Sequence, residues 1–154
     1  MLNCHYHKPH AKKRERTVLT MKPVKTDRNI WMWILLHLVT CGIYTIFYYK
    51  KMEEDINVMC AGDGQTTQNY WLAFLLTIVT AGIWGYIWLY QACERVYAAG
   101  KRYGVTTVCS GSTFLLWYLL GAFLCGAGPI VAFYKSIQDL NAVANAYTET
   151  GSAL

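Results

Sequence analysis

The chain has 154 residues, a formal charge of +5 and 55% hydrophobic residues. That length suits one domain. No Asp, Glu, Lys or Arg occurs in 30–49, 65–93 or 103–134, so the apolar share is gathered into blocks that an ordinary small soluble domain has no core to bury.

The first thirty residues form a basic tail. Lys8, Lys12, Lys13, Arg14, Arg16, Lys22, Lys25 and Arg28 stand against Glu15 and Asp27, with Pro9 and Pro23 and no apolar periodicity. Such a segment does not fold alone and suits an anionic cytoplasmic leaflet, with Lys12, Lys13, Arg14 and Arg16 as headgroup contacts. The Cys4-His5-x-His7-x-x-His10 cluster has ligand-type residues, but no second cluster closes a structural zinc site.

The first apolar block follows, and it begins too late and runs too long for a cleaved signal peptide. Each block supplies the roughly 20 apolar residues a membrane-crossing helix needs. The expected fold is an all-α integral membrane protein with three transmembrane helices at about 30–49, 70–92 and 113–134. Each span continues into an amphipathic tail helix, and a flexible C-terminus covers 148–154. Trp31, Trp33, Tyr48 and Tyr49 bracket the first span, and Tyr70, Trp71, Trp88 and Tyr90 the second, as aromatic side chains do at the headgroup level.

The blocks repeat. Trp31, Leu35, Val39, Thr40, Gly42 and Ile43 fall forty positions before Trp71, Leu75, Val79, Thr80, Gly82 and Ile83. A weaker third copy lies eighty-four positions on, where Asp55-Ile56-Asn57 matches Asp139-Leu140-Asn141. Lys and Arg number 8, 2, 3 and 1 in the four polar regions, which places the N-terminus inside and the C-terminus outside. Lys50-Lys51, at a span end assigned to the outside, is dissonant. It keeps alive a second topology, in which each glycine-centred block is a re-entrant hairpin and every tail is cytoplasmic. That version requires a tight oligomer to cover non-helical backbone at depth.

The blocks Val39-Thr-Cys-Gly-Ile-Tyr44 and Val79-Thr-Ala-Gly-Ile-Trp84, with the following Asp-x-Asn, resemble bacterial membrane proteins of domain of unknown function 4234. The resemblance covers about residues 28–147 and departs in the third repeat, where Cys-Gly-Ala-Gly-Pro replaces the usual block. It implies a multispan protein of the bacterial cytoplasmic membrane without assigned chemistry.

Several residues invite chemistry. His37 lies mid-span with Trp33 and Cys41 one turn to either side, a face that suits a proton or ion relay. His37 and Cys41 with Cys125 would form a metal or redox site. Gly42 and Gly82 permit close helix contact or a bend, and Gly126-Ala-Gly128-Pro129 is expected to kink the third span. Ala122-x-x-x-Gly126 is a small-residue contact face. No nucleophile elbow, phosphate loop or zinc-helix motif occurs, and the basic tail lacks a nucleic-acid platform. The expected role is a non-enzymatic scaffold or partner-binding subunit, without cofactor, that packs with copies of itself or another membrane protein. The alternatives are a small channel or transporter using His37 and the Gly126–Pro129 break, or a membrane-embedded metal protein.

Overall fold

The first two apolar blocks are each interrupted at their glycine, Gly42 and Gly82. The computed structural model describes residues 22–122 and 127–152. Helix α1 (Ile30–Val39) is followed by α2 (Ile43–Met59), α3 (Tyr70–Val79) by α4 (Ile83–Tyr103), and α5 (Gly111–Ala122) by α6 (Ala127–Ser152). A 3-10 turn, Ala61–Asp63, follows α2, and the described residues hold no strand.

The expectation of three transmembrane helices is therefore corrected. α1 and α3 have ten residues each, about 15 Å at 1.5 Å per residue. No helix among the described residues is long and apolar enough to cross a membrane. The longer α4 and α6 reach 21 and 26 residues only by running on into the polar tails. The third block is not one kinked rod either: Gly121 lies against Gly128 and Phe114 against Phe133, contacts that a single rod would not allow. α6 then continues to Ser152, into the stretch expected to be a flexible C-terminus.

The local cause is a helix-ending motif used twice. Thr40 caps α1, and Gly42 N–H donates to His37 O at 2.8 Å while Cys41 N–H donates to Leu38 O at 3.3 Å. These are the two bonds of a Schellman ending, which needs a left-handed residue after the cap. Cys41 (φ 49°) and Gly42 (φ 89°) both occupy that region, as do Ala81 (49°) and Gly82 (97°) in the second block. Glycine adopts this conformation freely; a side chain resists it. A chain that makes two left-handed steps cannot continue a right-handed helix, so it reverses.

Contacts across the reversals are antiparallel. His37 meets Thr45 and Trp33 meets Tyr48 in the first hairpin, Tyr70 meets Trp88 in the second, and Phe114 meets Phe133 in the third. The third is the tightest, because Gly121 and Gly128 abut and a Cβ on either would collide with the other's backbone.

Beyond the hairpins, the second helices of the three pairs form a bundle. Ile56, Val96 and Leu140 are buried, as are Met59, Ala99 and Val143, and then Cys60, Gly100 and Ala144. Each trio is one register position taken at offsets of forty and eighty-four. Met52, Ala92 and Ser136 line one small cavity together, and Tyr49 packs against Phe133. Equivalent positions meet along the bundle, so the three tails run parallel and all three helix pairs leave it at the same end. Small residues at positions 92, 99, 100 and 144 let the helices approach, and each fully buried large side chain contributes about 1.5–3 kcal/mol.

Candidate membrane-facing surface

The hairpins turn their apolar residues outward. Met32, Leu72 and Leu116, equivalent in register, are 56%, 51% and 56% exposed, and Leu35, Leu75 and Leu119 are 57%, 57% and 52% exposed. At the tips, Val39 and Val79 reach 72% and 74%. Scattered exposed apolar residues are ordinary, but a contiguous apolar surface of this kind marks a contact with lipid or protein.

The first two tips also satisfy their own backbone. In the first hairpin, Ile43 N–H donates to Thr40 O at 3.1 Å, Tyr44 N–H to Thr40 Oγ1 at 3.0 Å, and Thr45 N–H to Gly42 O at 3.0 Å. With the Cys41 and Gly42 bonds, every N–H from 41 to 45 has an acceptor. The second hairpin repeats the pattern: Ala81, Gly82, Ile83, Trp84 and Gly85 donate to Ile78 O, Thr77 O, Thr80 O, Thr80 Oγ1 and Gly82 O. Each threonine hydroxyl also donates to the carbonyl one turn back, Leu36 O or Leu76 O, at 2.7 Å. One hydroxyl thus closes one helix and opens the next.

Polar side chains hold the bases of the hairpins. The Asn29 and Asn69 carboxamides accept from Trp31 N–H and Trp71 N–H at 2.9 Å, capping α1 and α3. The segment leading into each hairpin is tied to its own tail at one register position. Lys25 N–H donates to Asp55 at 3.4 Å, Arg95 donates to Gln65 O at 2.9 Å, and Cys109 N–H donates to Asp139 at 2.7 Å.

A second set of bonds runs from each tail to the next hairpin. Glu53 accepts from Tyr70 N–H and Asn57 from Thr67 N–H, and Glu94 accepts from Gly111 N–H. Asn141 accepts from Arg28 N–H and donates to Arg28 O, which returns the third tail to the first hairpin. The three units are joined in a ring.

Charges in this ring are paired. Arg28 and Asp55 form an ion pair with side chains only 3% and 2% exposed, a geometry in which losing one partner strands a buried charge at about 3–5 kcal/mol. Burial pulls the Arg28 guanidinium below its ordinary range against the opposing pull of Asp55. Burial pushes Asp63 up, but its bonds from Arg95, at 3.0 Å to each oxygen, prevail and leave the carboxyl lowered. Asp139 is raised by burial despite accepting from Cys109 and Val108 N–H groups. Burial pushes the Cys60 thiol up to about 11, so it stays protonated at neutral pH.

The residues singled out in the sequence distribute unevenly over this frame. His37 Nδ1 lies 2.6 Å from Thr45 Oγ1, its ring stacks on Trp33 at 5.3 Å, and a Cβ on Gly42 would touch it. His37 thus braces the first tip. Cys41 does not share its helix face: it lies in the left-handed turn beyond the end of α1, exposed. Pro129 is the third described residue of α6. Cys125, Gly126, the basic cluster Lys12, Lys13, Arg14 and Arg16, and the Cys4/His5/His7/His10 cluster lie outside the described residues. Sequence reasoning missed Arg28, Arg95 and the acceptor roles of Glu53 and Glu94. The available signal was the repeated Asp-x-Asn at offset eighty-four, with Arg95 at the intermediate register.

A family model described as "Domain of unknown function (DUF4234)" matches residues 28–98 and again 68–142. The chain belongs to this family. The two DUF4234 matches start forty residues apart, at Arg28 and at Gln68, the register positions that open the first and second hairpins. No curated protein and no solved structure matches the chain.

Proposed function

We propose that this DUF4234 protein is a non-enzymatic scaffold that docks on the bacterial cytoplasmic membrane by dipping three helical hairpins into one leaflet. The tail bundle and its polar ring stay in the cytoplasm and present a surface to further copies or another envelope protein. The observation that carries the reading is the pair of tips whose exposed side chains are apolar and whose turn N–H groups are all used internally. In hydrocarbon an unsatisfied backbone group costs several kcal/mol, so a tip that keeps its own donors occupied is fitted to that solvent. The depth agrees: about 15 Å of α1 or α3 is half the roughly 30 Å hydrocarbon core.

Magnitudes favour an apolar over an electrostatic attachment. Nearly twenty exposed Leu, Ile, Val, Met and Trp side chains, each with about half of a 1.5–3 kcal/mol burial still to gain, give a gross term on the order of 20 kcal/mol. Basic residues near an anionic surface add about 1 kcal/mol each. A polarity-sensitive fluorophore on Val79→Cys tests the reading. With phosphatidylcholine vesicles its emission is expected to shift to the blue and to be quenched by shallow spin-labelled lipid. Unchanged emission in vesicles would refute insertion, and a shift in detergent-free protein alone would assign the tips to contacts between copies.

A further inference from the structure

We infer that the cavity at the foot of the first hairpin binds the headgroup of an anionic glycerophospholipid. This deepens the membrane reading above and rests on it. The cavity measures about 230 Å³ and is lined by Lys25, Arg28, Tyr44, Phe47, Tyr48 and Lys51 among others. Every charged side chain on its wall is a cation. Arg28 is committed to Asp55, and Lys51 lies 3.2 Å from the second oxygen of the same carboxylate and 3.7 Å from Glu54. The Lys25 ammonium has no carboxylate partner among the described residues.

The second hairpin fills the equivalent positions with residues that bond to one another. Tyr44 and Tyr48 are replaced there by Trp84 and Trp88, whose indole N–H groups donate to Gln68 Oε1 and Gln68 O at 3.0 and 2.9 Å. In the first hairpin the position of Gln68 is held by Arg28, and the smaller phenols leave a cavity. The Tyr48 hydroxyl is buried with no hydrogen-bond partner among the described residues. A buried donor without an acceptor is costly and calls for a reason.

A phosphodiester supplies one. Its oxygens would accept from Tyr48 Oη and from the Lys25 and Lys51 ammonium groups, as charge-assisted bonds. Phe47, 62% exposed beside the cavity, leads from it toward the apolar hairpin and offers a path for an acyl chain. Free phosphate would use the cations but not that wall. The cavity sits where α2 changes from aromatic to charged residues, between Tyr49 and Lys50, which is headgroup level for a hairpin inserted to its tip.

Native mass spectrometry of the full chain in neutral detergent tests this, with short-chain phosphatidylglycerol, the matching phosphatidylcholine and inorganic phosphate as probes. One phosphatidylglycerol per chain is expected, retained against equal phosphatidylcholine. Tyr48→Phe, which keeps the ring contacts, and Lys25→Gln are each expected to weaken it about tenfold, the size of a lost charge-assisted bond. Lys101→Gln, on another helix, should leave it unchanged. Equal competition by phosphatidylcholine, phosphate binding as tight as the lipid, or unweakened binding by both variants would overturn the site. A short-chain lipid needs no bilayer, so failure here with Val79 fluorescence still reporting insertion sinks the site alone. Phosphatidylglycerol binding without insertion sinks the membrane reading and leaves an anion pocket.

Discussion

Thr40 and Thr80 each manage a chain reversal with a single hydroxyl, donating backward to a carbonyl and accepting forward from an N–H. Thr80→Val keeps the shape and removes both bonds, leaving Trp84 N–H without its acceptor. A buried unsatisfied donor costs about 1–3 kcal/mol. The expected outcome is that loss of stability in denaturant titrations of bilayer-reconstituted protein, with a smaller loss in detergent solution where water reaches the tip. Asp63 gives a pH test. Its folded carboxyl is held below the ordinary value, so it contributes stability above about pH 4 that is lost as pH falls through the folded value. Asp63→Asn is expected to flatten that acid limb in melting curves between about pH 2 and 5; an unchanged limb would place the acid sensitivity elsewhere.

At the scale of elements, Gly128 and Gly121 set the tightest hairpin. Gly128→Val would force α5 and α6 apart, which a loss of protease resistance in the third hairpin would report. Ile56, fully buried on the bundle axis, is expected to cost about 2–5 kcal/mol when changed to Ala, read as a lower denaturant midpoint. Helical content, the three apolar blocks and the repeated glycines were all legible in the sequence. The reversals were not. A window of twenty apolar residues has the same hydropathy whether the helix runs through or folds back, and Thr-Cys-Gly and Thr-Ala-Gly contain no proline or asparagine to announce a turn. What decides is the left-handed conformation at Cys41 and Ala81, residues that rarely adopt it. Lys50-Lys51, at the end of the first block, was the one dissonant note against three spans. The bonds of the polar ring were hidden for a related reason. Its partners lie up to 113 residues apart, and only the parallel bundle brings them together.

As a whole the molecule separates polar from apolar surface along one axis. Among the described residues, the bundle end carries the buried ion pairs and the ring that joins the three units, and the hairpin end carries apolar surface. With the apolar term far above the electrostatic one, attachment to membranes is expected to survive molar salt and alkaline washing and to yield only to detergent. Release by salt alone would make the attachment electrostatic. The decisive measurement is the sidedness of the three tails. Single cysteines at the exposed positions Glu54, Lys101 and Gln138, in a chain whose other cysteines are changed to alanine, would meet a membrane-impermeant thiol reagent in intact cells and after lysis. If the hairpins enter from one face, all three sites label only after lysis. If Lys101 labels on the opposite side from Glu54 and Gln138, the chain crosses the bilayer between them and the one-leaflet arrangement is wrong.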